Sequence, residues 1–564
     1  MDPEARPRDS GSRAVHEAAS SEQPMHVGTL ALFTLLAALP WLNPAAGGPS
    51  AVVEPWLVAA AACLSAWALV APQLSRLHLC SAVVGVVLLL ALGRGAPPVL
   101  LAVAGLVVIG MSASVSASVR GRHALGAAIA TGWQIAALVS SAFALAQYYG
   151  IAAEFGPWVN PTAPGEAFAN LRQRNQFATL TSIGVAAVLW QVEKGARLPW
   201  AVPAVLLLIA ANAASASRTG ALQIGLLAAM TLWWCRPLKR RIAGACVAMV
   251  LGYALAAVLL PLSLQHLVGI AAPSAFSRLA TGDGCGSRAL LWSNVSHLIA
   301  QKPWFGWGWG ELDYAHFSTL YPGDRFCDIL DNAHNLPLHL AVELGIPAAS
   351  VVTGGFVLWV ARQQPWREQD ATRKLAWAVI AVILLHSLLE YPLWYGPFQM
   401  AFGFAVGLLA RPFKRPAKHI GERLGRAVIG LPLAAALLFT AWDYHRVSQL
   451  YTAPEERSVL YRGRPLPRVG DSWLFGDQLA FAELSVASLT TANAIQMHAL
   501  AMELLHYSPE PRVIESAIAS AVLLHREDDA FWLLARYRAA FPLEYESWSK
   551  AGGLRQQPAA KVID

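Results

Sequence analysis

Apolar runs separated by short polar turns recur along roughly the first 445 residues of the chain. A helix of about 20 apolar residues is long enough to cross the hydrocarbon core of a bilayer. The pattern predicts about thirteen such spans, at 26–42, 51–70, 78–93, 99–117, 124–147, 176–192, 199–215, 219–235, 242–262, 335–361, 374–390, 394–410 and 427–442. The expected fold class is therefore an all-α polytopic membrane protein whose transmembrane domain covers residues 26–442.

Two polar stretches between the spans, 148–175 and 263–333, are longer than turns. The second contains a predicted helix from Ser287 to Gln301, because Leu291, Val295 and Leu298 recur on one side of it. Its tryptophan-rich continuation at 304–310 has the composition of a membrane interface. We expect the stretch 263–333 to form a large external loop.

The pattern changes after the last span. Residues 443–564 carry amphipathic helical patterns at 480–489, 492–506, 513–525 and 529–540, which predict a small α-helical domain outside the membrane. At the other end, residues 1–25 are rich in proline, serine and charge, and are predicted to form a disordered tail.

Composition agrees with a membrane domain, since 56% of the residues are hydrophobic and only 14% are charged, against about 25% charged in soluble proteins. The basic residues concentrate in alternate loops, which the positive-inside rule assigns to the cytoplasm. This places the N-terminus inside and the C-terminal domain on the external face. The net charge of +7 is thus a topology signal, and it gives no reason to expect nucleic-acid binding.

Six cysteines are present, and four of them lie in or beside predicted spans, where they act as small apolar residues: Cys63, Cys80, Cys235 and Cys246. Cys285 and Cys327 both lie in the loop 263–333. In an oxidising compartment we expect these two to form a disulfide, which would stabilise the loop by roughly 4 kcal/mol in the chain-entropy treatment.

Polar side chains cluster at four places that the predicted topology assigns to the external face. They are Arg172 to Gln176, which includes Arg174 and Asn175; Ser215 to Gly220, which includes Arg218; Arg288; and His334-Asn335 together with His386, Glu390, Tyr391, Trp394 and Tyr395. A site at the lip of a span meets both a lipid-borne and a water-borne substrate. The four clusters are therefore the candidate chemistry of the chain.

Each cluster also has a structural interpretation. Arg218 can end a helix and Arg288 can be a surface charge, whereas two arginines together offer forked donors suited to a diphosphate. His334 can be an interfacial side chain or a proton acceptor near neutral pH. His386 and Glu390 are four residues apart on a predicted helix, and we expect them to bond to each other.

Other chemistries have little support. The chain has no GxxxxGK[ST] phosphate loop, no HExxH motif and no cysteine pair with zinc spacing, so no cofactor is expected. Asp324, Asp328 and Asp331 lie at helical spacing and could ligate a cation, although a solvated acidic face is the preferred interpretation.

Two of the clusters resemble a known family. His334-Asn335, followed after nine residues by Gly345, is similar to the H[NSQ]-x9-G signature of bacterial O-antigen ligases; Ala348 departs mildly from the residue usual there. Ser217-Arg218 and the run from Arg288 to Gly310 resemble the paired arginine regions of the wider superfamily. That superfamily comprises O-antigen ligases, O-antigen polymerases and protein O-oligosaccharyltransferases.

Two further segments resemble the last group, the PglL-type enzymes. Residues 386–395 (HSLLEYPLWY) are similar to its HSxxEYPLWY segment, and Arg174-Asn175-Gln176 resembles its QRNxxA motif. The external residues after the last span are also typical of the protein transferases. The resemblance is strongest over 165–395.

The resemblance implies a metal-independent enzyme of the bacterial inner membrane. It would transfer a glycan from undecaprenyl diphosphate to Ser or Thr of a periplasmic or pilin-like protein. His334 would activate the acceptor hydroxyl or assist the leaving group, Asn335 would orient it, and Arg218 with Arg288 would neutralise the diphosphate. Substrate contacts are expected from Arg174, Asn175, Gln176, His386, Glu390, Tyr391 and Tyr395.

Three alternatives remain. An O-antigen ligase or polymerase would use the same donor with a sugar acceptor. A transporter of the lipid-linked glycan is less favoured, because the polar groups cluster at one face and the mid-span regions carry no charged path. A metal-dependent oligosaccharyltransferase needs carboxylates in the first external loop, and residues 43–50 contain none.

Overall fold

The protein is described here from a computed structural model, which covers residues 25–44, 48–70, 97–118, 122–235, 240–272, 284–410 and 421–553. The regular secondary structure of these residues is helical. The helices before the second long loop are α1 Val27–Ala38, α2 Val53–Val70, α3 Pro97–Ser118, α4 Arg122–Tyr148, α5 Arg174–Glu193, α6 Leu198–Ala214, α7 Arg218–Trp234 and α8 Arg240–Val268. Those that follow are α9 Arg288–Gln301, α10 Leu312–Ser318, α11 Leu336–Leu344, α12 Ile346–Gln363, α13 Ala371–Ser387, α14 Gly396–Leu409 and α15 Gly421–Ser448. The C-terminal helices are α16 Pro465–Val469, α17 Gly476–Val486, α18 Ala494–Leu504, α19 Pro511–Leu523, α20 Glu527–Ala540 and α21 Pro542–Lys550.

Several of these helices have the length and composition of membrane spans. Four are long and apolar enough by both criteria: Leu100–Ser118, Arg122–Tyr148, Ile242–Val268 and Val428–Ser448. Four shorter apolar helices accompany them, at Val27–Trp41, Val53–Leu69, Leu198–Ala214 and Gly396–Leu409. The all-α fold with several apolar helices is thereby confirmed. The predicted span 78–93 and the predicted disordered tail, apart from Met25, lie outside the described residues.

Small residues let the apolar helices pack closely. α14 lies directly against α3. A Cβ added at Gly407 would lie 2.1 Å from the carbonyl oxygen of Ala113, and one at Gly403 would lie 2.4 Å from that of Ile109. Because there is no room for a side chain at either position, glycine brings the two backbones into contact, as in other membrane helix pairs.

The predicted single span 335–361 is wrong in one respect, because the structure breaks it into α11 and α12 at Gly345. Gly345 has a φ of +88°, and a Cβ there would lie 2.2 Å from the carbonyl oxygen of Trp304. The Ile346 N–H donates to the Pro303 carbonyl at 2.8 Å, so the tryptophan-rich segment is bonded into the break. The conformation and the close approach both require glycine, which explains its place in the signature.

The short helix α11 packs with the external loop. It shares one apolar core with α9 and α10, formed by Leu291, Val295, Leu298, Leu312, Ala315, Leu340 and Val342 among others. The disulfide between Cys285 and Cys327 is present in the structure, with a Cα–Cα distance of 5.4 Å. The loop helix predicted from Ser287 is α9, for which Ser287 is the N-cap.

The C-terminal helices form their own core and contact the loop through α10. The four predicted helices are present as α17 to α20, with bounds shifted by a few residues. Phe317 of α10 is buried in their core. Arg536 donates to the Ser318 carbonyl at 2.8 Å, and His506 Nδ1 lies 2.6 Å from a carboxylate oxygen of Glu311. The loop is thus held between the C-terminal helices and α11.

Candidate functional site

Glu390 is the centre of a polar junction that we call the Glu390 junction, formed with Asn175, Arg288 and His334. Glu390 lies in the turn after α13 and is 8% exposed. One of its oxygens accepts hydrogen bonds from Arg288 and from the Asn175 amide, the latter at 3.1 Å. His334 Nδ1 lies 2.9 Å from the other oxygen. Residues from three distant stretches of the chain therefore meet on one carboxylate.

The neighbours of Glu390 hold it as a carboxylate and leave one arginine donor unmatched. Burial alone would raise the pKa of Glu390, but the neighbouring His334 and Arg288 outweigh it and lower that pKa to about 2. Glu390 is consequently charged at physiological pH. Within the described part of the chain, the second terminal nitrogen of Arg288 is buried without a hydrogen-bond partner. A buried donor left unmatched is costly, and it marks a place where an acceptor can bind.

Three helices begin at or beside the junction, and they begin in the same way. Each start has a residue with positive φ followed by an extended N-cap residue: Arg172 with Gln173, Ala216 with Ser217, and His334 with Asn335. Each cap side chain accepts a hydrogen bond from the backbone N–H three residues later, at 2.7, 3.0 and 3.2 Å respectively. Helix N-termini carry partial positive charge, so their arrangement adds to the attraction for anions.

His334 is held in an unusual backbone conformation. Its φ is 50°, and its N–H donates to the side-chain oxygen of Asn332 at 2.9 Å. A left-handed conformation at a residue other than glycine costs energy and is concentrated at functional sites. Because Nδ1 faces Glu390, Nε2 is the nitrogen available to a reactant. Glu390 therefore fixes which ring nitrogen of His334 can act as an acceptor.

Asn335 joins the histidine to the turn that carries Glu390. Its side-chain oxygen caps α11, while its amide nitrogen donates to the Leu388 carbonyl at 3.2 Å. The oxygen and the nitrogen of the amide thus both bond to backbone groups, one in α11 and the other at Leu388.

An aromatic group borders His334. The Tyr391 ring packs edge-on against the His334 ring at 5.2 Å, and Tyr391 stacks on Tyr395 at 6.1 Å between ring centroids. The Tyr395 hydroxyl hydrogen-bonds to the side chain of Gln176. The structure therefore brings these three predicted substrate contacts together beside the junction.

The expected side-chain bond between His386 and Glu390 is wrong, because the two side chains contact other groups, although the Glu390 N–H donates to the His386 carbonyl at 2.8 Å. The helix α13 ends at Ser387, between the two residues. His386 is fully buried, and its Nδ1 lies 2.9 Å from the hydroxyl of Thr179 on α5. Gln223 of α7 also donates to that hydroxyl, at 2.8 Å. His386 thus bonds α13 to α5 beneath the junction.

The other two predicted arginines have different surroundings from Arg288: Arg174 pairs with Glu166, and Arg218 begins α7. Arg174 Nη2 lies 3.6 Å from a carboxylate oxygen of Glu166. Arg218 is the first residue of α7, next to Ser217, whose hydroxyl donates to the Asn175 side chain at 2.6 Å. The backbone at Arg218 is therefore connected to the junction through one hydrogen bond.

The sequence interpretation assigned no role to the cap residues Gln173 and Ser217. Their signal was present, because a polar residue just before an apolar run is typical of a helix start. In the stretches that the structure describes, no group of three His, Cys, Asp or Glu side chains is arranged to hold a metal. The donors that converge here are guanidinium, imidazole and amide groups, which suit a phosphate better than a cation.

Comparisons with known proteins agree with this chemistry. The family model described as O-antigen ligase matches residues 203–353, and that described as protein glycosylation ligase matches residues 167–190. A third, described as the C-terminal part of a virulence factor membrane-bound polymerase, matches residues 374–555. The matches include Arg218, Arg288, His334, Asn335 and the turn carrying Glu390.

Two curated proteins of Acinetobacter baylyi are similar in sequence. A general O-oligosaccharyltransferase is 26% identical over 333 residues, which is 56% of each chain. A ComP-specific O-oligosaccharyltransferase is 26% identical over 250 residues, or 44% of each chain. The matched stretch spans about half the length of these relatives. Over these stretches the chain is similar to O-antigen ligases, membrane-bound polymerases and protein glycosylation ligases.

Proposed function

We propose that this protein transfers a glycan from a lipid-linked diphosphate donor to a hydroxyl of an acceptor protein. The observation that carries the proposal is the Glu390 junction, where a buried arginine donor and an oriented histidine share one carboxylate. An O-glycosyl transfer from a diphosphate needs both an anion site and a proton acceptor. The names of the two similar proteins support a protein acceptor.

In the proposed reaction the oxygen of an acceptor Ser or Thr attacks the anomeric carbon of the donor glycan. The bond between that carbon and the diphosphate breaks, and the lipid diphosphate leaves with the electron pair. His334 accepts the hydroxyl proton at Nε2 while Glu390 balances the charge that the ring gains. His334 then returns the proton to the diphosphate or to water, so the enzyme is regenerated.

Arg288 and Arg218 are proposed to stabilise the negative charge that develops on the leaving group. Arg288 brings a buried donor without a partner in the described structure, and Arg218 begins a helix beside it. Such preorganised donors usually supply the largest part of a rate enhancement. Arg174, Asn175, Gln176, Tyr391 and Tyr395 are proposed to contact substrate around this centre, and His386 to support it from below.

We further propose the finer membrane arrangement. About thirteen helices would cross the bacterial inner membrane, with the N-terminus in the cytoplasm and the loop 263–333 in the periplasm. Residues 443–564 would form a periplasmic α-helical domain. An undecaprenyl diphosphate donor and a pilin-like acceptor fit this arrangement, because the junction would then lie at the outer lip of the spans.

A second candidate is an O-antigen ligase or polymerase, which the match over residues 203–353 favours. It would use the same donor, the same histidine and the same arginines. The two functions differ in the acceptor alone. An assay that offers both acceptors therefore decides between them.

The test uses the full-length protein in proteoliposomes with a lipid-linked oligosaccharide and either a pilin-like protein or a lipid A core. We expect a glycan mass added to a Ser or Thr of the protein, and loss of this product in His334→Ala. The matched control is His297→Ala, which removes a histidine of α9 outside the junction. A product on the lipid A core alone would overturn the protein acceptor, and full activity of His334→Ala would overturn the mechanism.

A further inference from the structure

The chain that follows α15 wraps around the end of that helix, and we call residues 457–475 the collar. Buried Asp443 accepts hydrogen bonds from the Ser472 hydroxyl at 2.9 Å and from the Leu474 N–H at 3.1 Å. Arg446 donates to the Val469 carbonyl at 2.7 Å. The collar is thus fixed to the last two turns of an apolar helix.

The inner side of the collar is apolar and buried. Its residues pack on the ends of α15 and α2 in one cluster, made of Val53, Tyr444, Val447, Tyr461, Val469 and Phe475. Both helices have the composition of membrane spans. The collar therefore lies where these helices leave the bilayer.

The outer side of the collar is also apolar, which is unusual for a surface exposed to water. Val459 is 77% exposed, Leu460 68% and Trp473 74%. Large apolar side chains that stand out together mark an interaction surface. Around them the collar has four arginines against one acidic residue, and three of the arginines are exposed: Arg462, Arg464 and Arg468.

The depth of the collar follows from its contact with α15. The Trp473 ring lies 6.3 Å from that of Phe439, which is nine residues before the helix end at Ser448. At 1.5 Å per residue, Trp473 reaches back about 14 Å from the end of the helix. The polar residues Asp443, His445 and Arg446 follow within two turns of Phe439, so the apolar part of α15 ends close to it. Trp473 therefore lies beside the outer end of the apolar part of α15.

The exposed face of α15 continues into the collar. Leu431, Leu438 and Trp442 are more than half exposed and lie at helical spacing on one side, where lipid would contact them. Trp473 extends this stripe. Tryptophan at a membrane interface with arginine nearby is a usual anchoring arrangement.

We propose that the collar is a bilayer anchor. Val459, Leu460 and Trp473 enter the interface of the leaflet at the C-terminal end of α15. The exposed arginines meet the phosphate groups of anionic phospholipids there, since each basic residue near an anionic surface adds about 1 kcal/mol of attraction. The anchor fixes the height at which the C-terminal helices stand above the membrane and contact α10. It requires no glycan and is independent of the proposed transfer.

The test places the photo-crosslinking residue benzoylphenylalanine at position 460 of the full-length protein in lipid nanodiscs. The matched control is the same residue at position 495, because Ile495 is 76% exposed and lies on α18, outside the collar. Mass spectrometry then detects phospholipid adducts after illumination. We expect adducts at position 460 to exceed those at 495 by about tenfold, as an inserted side chain is surrounded by lipid.

The electrostatic part is tested by comparing phosphatidylglycerol with phosphatidylcholine nanodiscs. We expect a severalfold excess of adducts in the anionic lipid, and Arg462→Gln with Arg464→Gln to remove that excess. Equal adducts at 460 and 495, or crosslinks from 460 to protein alone, would overturn the anchor. Adducts that do not depend on lipid charge would overturn the role of the arginines.

Discussion

Two buried carboxylates follow or end apolar helices in this protein, and their surroundings differ. Asp443 is 0% exposed, and Arg446, Ser472 and Leu474 bond to its two oxygens. Arg446 lies one turn further along the same helix, and Ser472 and Leu474 belong to the segment that follows this helix. We call this group the Asp443 junction. Glu390 receives its partners from α5, α9 and the stretch before α11, and the side chains of Arg288 and His334 stay about one quarter exposed.

The difference distinguishes a polar group that stabilises the fold from one that can bind a ligand. At the Asp443 junction one arginine faces one carboxylate, and Arg446 also bonds to two backbone carbonyls and lies over the Trp442 ring. At the Glu390 junction the carboxylate contacts an arginine and a histidine, and helix N-termini lie around them. Each junction has one guanidinium nitrogen, Arg288 Nη1 or Arg446 Nε, that is buried without a hydrogen-bond partner among the described residues. The Arg288 side chain is 27% exposed and that of Arg446 13%, so an incoming anion has better access to Arg288.

Removing the arginine from each junction gives the largest expected difference. Arg288→Ala should lower the rate of glycan transfer by about 10²- to 10³-fold, because a preorganised donor to the leaving group is lost. It should also lower the unfolding temperature, but by less than Arg446→Ala, because His334 and Asn175 still contact Glu390. Arg446→Ala should destabilise the fold by about 3 kcal/mol, since Asp443 is left buried and unpaired.

The two variants are compared by transfer rate per folded molecule and by thermal unfolding in the same detergent. Arg288→Lys is a useful addition, because a lysine keeps the charge but not the forked geometry, and it should recover only part of the rate. Similar losses of rate in the Arg288 and Arg446 variants would remove the distinction between the two junctions.

Local sequence patterns predicted most of the described helices and pointed to the polar residues that meet at the Glu390 junction, but they did not predict how these residues pair. The apolar runs predicted helices that the structure contains, because burial in lipid depends on average hydropathy. Glu390 was paired with His386 by helical spacing, and this failed because the two side chains contact other groups. The actual partners Arg288 and Asn175 are 102 and 215 residues away in the chain, which no local pattern relates to Glu390.

The break at Gly345 was missed for a similar reason. One glycine hardly changes the mean hydropathy of a long apolar run, so the hydropathy pattern predicts one continuous helix there. The positive φ is fixed by Trp304, whose carbonyl lies where a Cβ would be. That contact belongs to the tertiary structure, and the signature glycine was the sole sign of it in the sequence.

Neutralising each carboxylate should give a smaller difference, which depends on pH. The pKa of Glu390 falls from about 4.5 to about 2 in the folded protein. A lowered folded pKa stabilises the protein above the unfolded pKa, and this contribution is lost as the pH falls through the folded value. The parent protein should therefore lose about 3 kcal/mol of stability between pH 5 and pH 2, and Glu390→Gln should lack this component.

Glu390→Gln should also lower transfer by about tenfold at neutral pH, because His334 loses the charge that balances its protonated ring. The matched variant Asp443→Asn should lower stability with little change in transfer. Unfolding midpoints measured across the pH range, together with rates at pH 7, provide the comparison. An Asp443→Asn protein that folds normally but transfers slowly would contradict it.

The smallest expected difference is between two serines, each of which donates a hydrogen bond to a residue of one junction. Ser217 donates to Asn175 and caps α7, while Ser472 donates to Asp443 and accepts from the Phe475 N–H at 3.0 Å. Alanine at either position should cost about 1 kcal/mol of stability through the lost cap or turn. Only Ser217→Ala should also raise the KM for the lipid-linked donor, by a few fold, because Asn175 is then less firmly held against Glu390. Donor titrations at saturating acceptor measure this, and an equal KM in the two serine variants would mean that Ser217 serves the helix start alone.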